Sequence, residues 1–183
     1  VGHGLSAKPR MIIMKNASTS SRNWFVYTDI LDGSLDYLYL NATNTKANST
    51  RNVPTSTVFD QGNLGGVSAG NDCIAYCFHD VAGYQKIGTY EGTGTSGNTV
   101  SLDFKPTFIM IKNVDDSGSW FMLDSVRDTD GTLNKYVFAN STAAEATAST
   151  ATVTPNDTGF EIGDSNSTHL NSSGDTFIFL AIA

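Results

Sequence analysis

The sequence predicts an all-β protein: two tandem, related, antiparallel β-sandwich-like modules with little or no helix. Three observations carry that prediction. The first is a duplication: Lys8-Pro9 leads into Met11-Ile12-Ile13-Met14-Lys15-Asn16, a polar loop and Trp24-Phe25, and Lys105-Pro106 leads into Phe108-Ile109-Met110-Ile111-Lys112-Asn113, a polar loop and Trp120-Phe121. A repeat of this kind fixes the unit of the fold before any single residue is interpreted. The second is composition: charged residues are only 16% of the chain, while Gly, Ser, Thr and Asn abound, which suits short strands joined by turns. The third is the aromatic content, 10 Phe, 7 Tyr and 2 Trp, which supplies too much apolar surface for a disordered chain.

The elements follow in order. Met11 to Lys15 and Phe108 to Lys112 are short, continuous apolar runs bounded by Pro and by polar residues, so they read as central strands covered on both faces. Trp24 to Thr28 and Trp120 to Leu123 come after short loops and are expected to pair with the run before them. Leu35 to Leu40 and Tyr136 to Ala139 are further strands; within the repeat Tyr37 to Thr43 is answered by Tyr136 to Thr142, and Ser68-Ala69-Gly70-Asn71-Asp72-Cys73-Ile74 by Ser172-Ser173-Gly174-Asp175-Thr176-Phe177-Ile178. Thr57 to Phe59, Gly159 to Ile162, Cys73 to Phe78 and Thr176 to Ile182 complete about five strands per module, with Asp32-Gly33, Asp130-Gly131 and Ser173-Gly174-Asp175 as turns. Ala143 to Thr152 holds good helix formers ahead of a Thr-rich run and is expected to form one helical turn at most.

The first module is assigned to residues 1–83 and the second to 84–183. The second is expected to open with a hairpin, Gln85 to Tyr90 against Asn98 to Phe104, around the glycine-rich Glu91 to Gly97. The first has only Val1-Gly2-His3-Gly4-Leu5 in that place. An absent opening strand would leave an open sheet edge, and open edges pair with other chains. The expectation is that a strand from a neighbouring subunit or an upstream segment covers it.

Function is approached by exclusion. With 11 Lys and Arg against 18 Asp and Glu, and a net charge of -7, there is no basic stripe for phosphates, so nucleic acid is not an expected partner. No apolar run reaches the roughly 18 residues of a membrane-spanning helix, and no basic segment precedes an apolar core at the N-terminus, so a soluble chain without membrane insertion is expected. Its opening Val reads as that of a processed or partial product.

Candidate chemistry is thin. Cys73 and Cys77, four apart on one strand, stand roughly 13 Å from each other, beyond the reach of a disulfide. Alternation puts them on one face with Ala75, where they read as buried small hydrophobes. His3, His79 and His169 lie in separate segments, with no nucleophile or second ligand at a recognised spacing. Asp124, Asp128 and Asp130, with Asp115 and Asp116, form the densest carboxylate group, but lack the later acidic ligand of a calcium loop and read as turn residues. Trp24 and Trp120 recur at equivalent positions and read as core, leaving Tyr84, Tyr90 or the loop around Asp128 as the places a lectin would use. Asn-x-Ser/Thr sequons begin at Asn16, Asn41, Asn48, Asn140, Asn156, Asn166 and Asn171 and matter only where the producing cell glycosylates its surface proteins. No catalytic, cofactor-binding or metal residue is expected, and no cofactor.

Beyond these physical readings, Val1 to Leu5, Lys8 to Asn16, Ser56 to Phe59, Tyr76 to Phe78 and Gly83 to Tyr90 resemble the tandem β-repeats of unknown function in virion structural proteins of marine bacteriophages. Phe104 to Pro106, Ile109 to Lys112, Gly118 to Trp120, Arg127-Asp128, Ala139 to Glu145 and Gly174 to Ala181 carry the rest of the pattern. The chain departs from it at the opening hairpin and in the short Asp60 to Gly66 connection. The resemblance implies a non-enzymatic virion-surface part, of a tail fibre, appendage or capsid decoration, that assembles with identical subunits and other virion proteins and contacts the host, including host glycans. The alternatives are a carbohydrate-binding, lectin-like module and a subunit of an extracellular filament or coat assembled by strand pairing.

Overall fold

The computed structural model describes residues 1–60, 70–164 and 169–183. Among them there is no helix, and every strand pairing is antiparallel. The chain divides into two units, Val1–Asp80 and Val81–Ala183.

The first unit is a five-stranded sheet in the order β4-β3-β2-β1-β5. Its strands are β1 (Met11–Asn16), β2 (Phe25–Thr28), β3 (Asp36–Tyr39), β4 (Ala47–Asn48) and β5 (Cys73–Phe78). β1 is central, as its unbroken apolar run requires, with Met11, Ile12, Ile13 and Met14 all buried. Strand alternation sends Ile12, Met14 and Tyr27 to one face, where they pack with Leu35 and Phe59. Among the described residues, the second layer is represented by one bridge, Gly2 to Val58, held by the Phe59 amide on the Val1 carbonyl and the His3 amide on the Thr57 carbonyl. Thr57 to Phe59, expected as a strand, is thus only a bridge.

The second unit is a two-sheet sandwich. One sheet runs β11-β10-β9-β8-β14-β6 and the other β12-β13-β7. The strands are β6 (Gln85–Glu91), β7 (Asn98–Ser101), β8 (Phe108–Asn113), β9 (Phe121–Asp124), β10 (Lys135–Phe138), β11 (Ala146–Thr147), β12 (Val153–Asn156), β13 (Gly159–Ile162) and β14 (Thr176–Ile182). Ile109, Ile111, Phe121, Leu123, Phe177 and Phe179 of the first sheet pack against Val100, Val153, Phe160 and Ile162 of the second.

The duplication is kept at the level of register. β1 meets β5 with Met11 opposite Phe78 and Asn16 opposite Cys73, and β8 meets β14 with Phe108 opposite Ile182 and Asn113 opposite Phe177. β2, β3 and β4 likewise answer β9, β10 and β11. Two expectations, the opening hairpin and the strand count, need correction. The second unit does not begin with a hairpin: β6 pairs with β14 and β7 with β13, so the glycine-rich stretch carries the chain from one sheet to the other. Close passage makes that arch possible, since a Cβ at Gly92 would lie 1.9 Å from the Ser172 carbonyl oxygen. Ala143 to Thr152 stays within its expected limit of one helical turn and forms none: Ala146–Thr147 extends to pair with Lys135 and Tyr136, tertiary pairing overriding alanine's local preference. The second unit also holds more strands than five, because β6, β7, β12 and β13 have no strand counterpart among the described residues of the first. Of the expected features, residues 61–66 of the short connection, Ser68 and Ala69 of the repeat and the Asn166 sequon lie outside the described residues.

Candidate functional site

The polar residues that looked most chemical hold loops. Asn113, buried, accepts the amides of Asp115 and Asp116, each at 2.9 Å, and donates to the Asp175 carboxylate at 2.8 Å. Asn16 does the same for the amides of Ser18 and Thr19, at 2.9 and 3.1 Å. Asn41 and Asn140 each accept the amide of a tryptophan, Trp24 at 2.8 Å and Trp120 at 2.9 Å. Two sequon asparagines thus sit in equivalent braces.

The carboxylate group is similarly used. Asp128 is buried and accepts the amides of Asn134 and Lys135 at 2.8 and 2.7 Å. Asp124 accepts the amides of Val126 and Arg127 and pairs with the Arg127 guanidinium at 2.6 Å. Burial alone would raise the Asp124 carboxyl, but the Arg127 contacts outweigh it and hold the group below the ordinary carboxylate range. Asp130 accepts the Thr132 amide, Asp115 the Thr176 amide and Asp116 the Ser117 amide. Among the described residues, no three His, Cys, Asp or Glu side chains gather as metal ligands would.

The remaining candidates are dispersed. The His3 ring contacts the Thr55 carbonyl, the His79 ring contacts the Asp80 carbonyl, and the His169 ring lies 5.3 Å from that of Phe121. Trp120 is fully buried and Trp24 half-buried. Tyr84 is 55% exposed, whereas Tyr90, the other tyrosine a lectin would use, is in the core. Its hydroxyl donates to the Leu170 carbonyl at 2.7 Å, and burial, with Asp164 nearby, pushes its pKa well above the ordinary value. Two ionisable side chains stand out. Lys112 is fully buried, with its ammonium on the Asn113 and Asp116 carbonyls, and burial lowers its pKa to about 8 against a weaker upward pull from Asp116. Asp36 is raised by burial, partly offset by Lys46 at 3.2 Å.

What sequence reasoning missed is a cavity of about 330 Å³ in the first unit, lined among others by Met14, Phe59, Cys73, Ala75 and Cys77. Cys73, Ala75 and Cys77 share one face, as alternation predicts, but both thiols are free and half-buried rather than buried. Burial pushes the Cys77 thiol up. The opening coincides with a difference of size: in the shared register Cys73 and Ala75 stand where the second unit has Phe177 and Phe179. The signal lay in the aligned strings, small residues answering large ones. β5 is also an edge strand: among the described residues its outer side pairs with nothing, while β14 carries β6 along its whole length.

No curated protein and no solved structure matches the chain. A family described as a domain of unknown function, DUF7483, matches residues 1–183, and the chain belongs to that family.

Proposed function

We propose that the chain is a non-enzymatic structural component of a bacteriophage virion surface, in a tail fibre, appendage or capsid decoration. It assembles with identical subunits and other virion proteins and touches the host. The observation that supports this reading best is the repeated use of asparagine side chains as braces: Asn16 and Asn113, both buried, and Asn41 and Asn140, nearer the surface, hold the same loops in both units. Side chains engaged in this way hold the shape of the loops around them. The viral setting is supported by the resemblance to tandem β-repeats of marine phage virion proteins.

Immunogold electron microscopy of the particle that carries the chain tests it. Regular labelling of a fibre, appendage or capsid knob is expected. Absence from purified particles, or label confined to a non-viral filament, overturns it. A glycan array read in parallel separates the lectin reading, which requires a defined sugar preference lost on Tyr84→Ala, the exposed one of the two tyrosines, Tyr84 and Tyr90, that a lectin would use.

A further inference from the structure

The two units differ at one edge, and the second shows how the first can be completed. In the second unit the outer side of β14 is covered by β6, with Phe177 opposite Tyr90, Phe179 opposite Gly88 and Leu180 opposite Ile87. Tyr90 stacks on Phe177 with ring centroids 4.9 Å apart and planes only 6° from parallel. Gly88 has no side chain because the Phe179 ring fills its place: a Cβ there would lie 2.6 Å from that ring. In the first unit Cys73 and Ala75 stand in place of the two phenylalanines, and both line the cavity.

The backbone of β5 is ready for a partner. Antiparallel strands alternate the side to which their amides and carbonyls point. The Asp72 and Phe78 carbonyls accept from Ala17 and Arg10, flanking the β1 pairing, so the even-numbered residues face β1. The amides and carbonyls of Cys73, Ala75 and Cys77 therefore point outward and have no strand partner among the described residues. The corresponding Asp175 carbonyl and Ala183 amide, at the two ends of β14, bond to Gly92 and Tyr84 beside β6. Ile74 and Tyr76, on the other face of β5, are 47% and 49% exposed.

We infer that the outer edge of β5 binds an extended segment of another polypeptide as an added antiparallel strand, which puts two bulky apolar side chains, two residues apart, into the cavity. The segment carries an aromatic residue opposite Cys73, in the role of Tyr90. Opposite Ala75 it carries a large aliphatic or aromatic residue where β6 must have Gly88, because no ring blocks that position. A further apolar residue, as at Ile87, lies opposite Tyr76. Main-chain bonds supply affinity and the alternate side chains supply selectivity in such strand addition. A second copy's β5 does not meet this description, since it offers only Cys and Ala to the cavity. The inference needs only the edge and the cavity, and stands apart from the viral setting.

Peptides test it. A peptide with the sequence of Gln85–Glu91 carrying Gly88→Leu is expected to bind the chain about tenfold or more tighter than the unaltered peptide, one additional buried side chain being worth that much. Adding Tyr90→Ser to the same peptide abolishes the gain. Ala75→Phe in the protein, which restores the ring found at Phe179, is expected to reverse the preference, so that the unaltered peptide binds tighter than the one carrying Gly88→Leu. In the unaltered protein, amide exchange at Cys73, Ala75 and Cys77 slows on binding, a readout that does not rely on that variant folding. Equal binding of all peptides, no slowing at these three amides, or a dimer of the chain alone that buries β5 overturns the inference.

Discussion

At the scale of the residue, single asparagines organise whole loops. Asn113→Ala leaves the Asp115 and Asp116 amides and the Asp175 carboxylate without their partner, and is expected to cost about 2 kcal/mol in urea unfolding. Asn16→Ala, which takes the same brace from the Ser18 and Thr19 amides, is likewise expected to lower stability. Lys112 gives a pH signature. Burial lowers its pKa from 10.5 to about 8, so the folded state releases the proton before the unfolded chain does. Below about 8 the full penalty of the buried charge is present, and stability from this residue rises as pH climbs from about 8 toward 10.5. Denaturation at a series of pH values checks this: Lys112→Met is expected to flatten the rise in that window relative to the parent protein.

At the scale of the element, much was legible because the signals are local. The apolar runs Met11 to Lys15 and Phe108 to Lys112 announce central strands, and both are central. Choice of partner was less legible. Glu91 to Gly97 has the composition of a hairpin turn, yet β6 and β7 go to different sheets, a decision made by residues remote in sequence. β12 was hidden by Pro155, tolerated because β12 is an edge strand with one neighbour. The cavity could be read only by comparing the copies, because neither Cys73 nor Ala75 is unusual by itself. Gly92 tests the arch. Any side chain there meets the Ser172 carbonyl, so Gly92→Ala is expected to destabilise by about 3 kcal/mol, measurable as a lowered midpoint in thermal or urea unfolding.

At the scale of the whole molecule, one plan is executed twice with unequal completeness. The second unit closes a sandwich, while the first keeps the main sheet and, among the described residues, shows only the Gly2 to Val58 bridge opposite it. Local stability follows local pairing. Hydrogen exchange should therefore find the amides of Phe177, Phe179 and Ala181, bonded toward β6, far slower than those of Cys73, Ala75 and Cys77; equal rates would contradict the assigned edge. The half-buried thiols have one more consequence. Because burial suppresses ionisation at Cys77, alkylation there should be sluggish at neutral pH and quicken in alkali. A small iodoacetamide reagent thus becomes a gauge of vacancy, reading by the rate of mass gain whether anything has moved in.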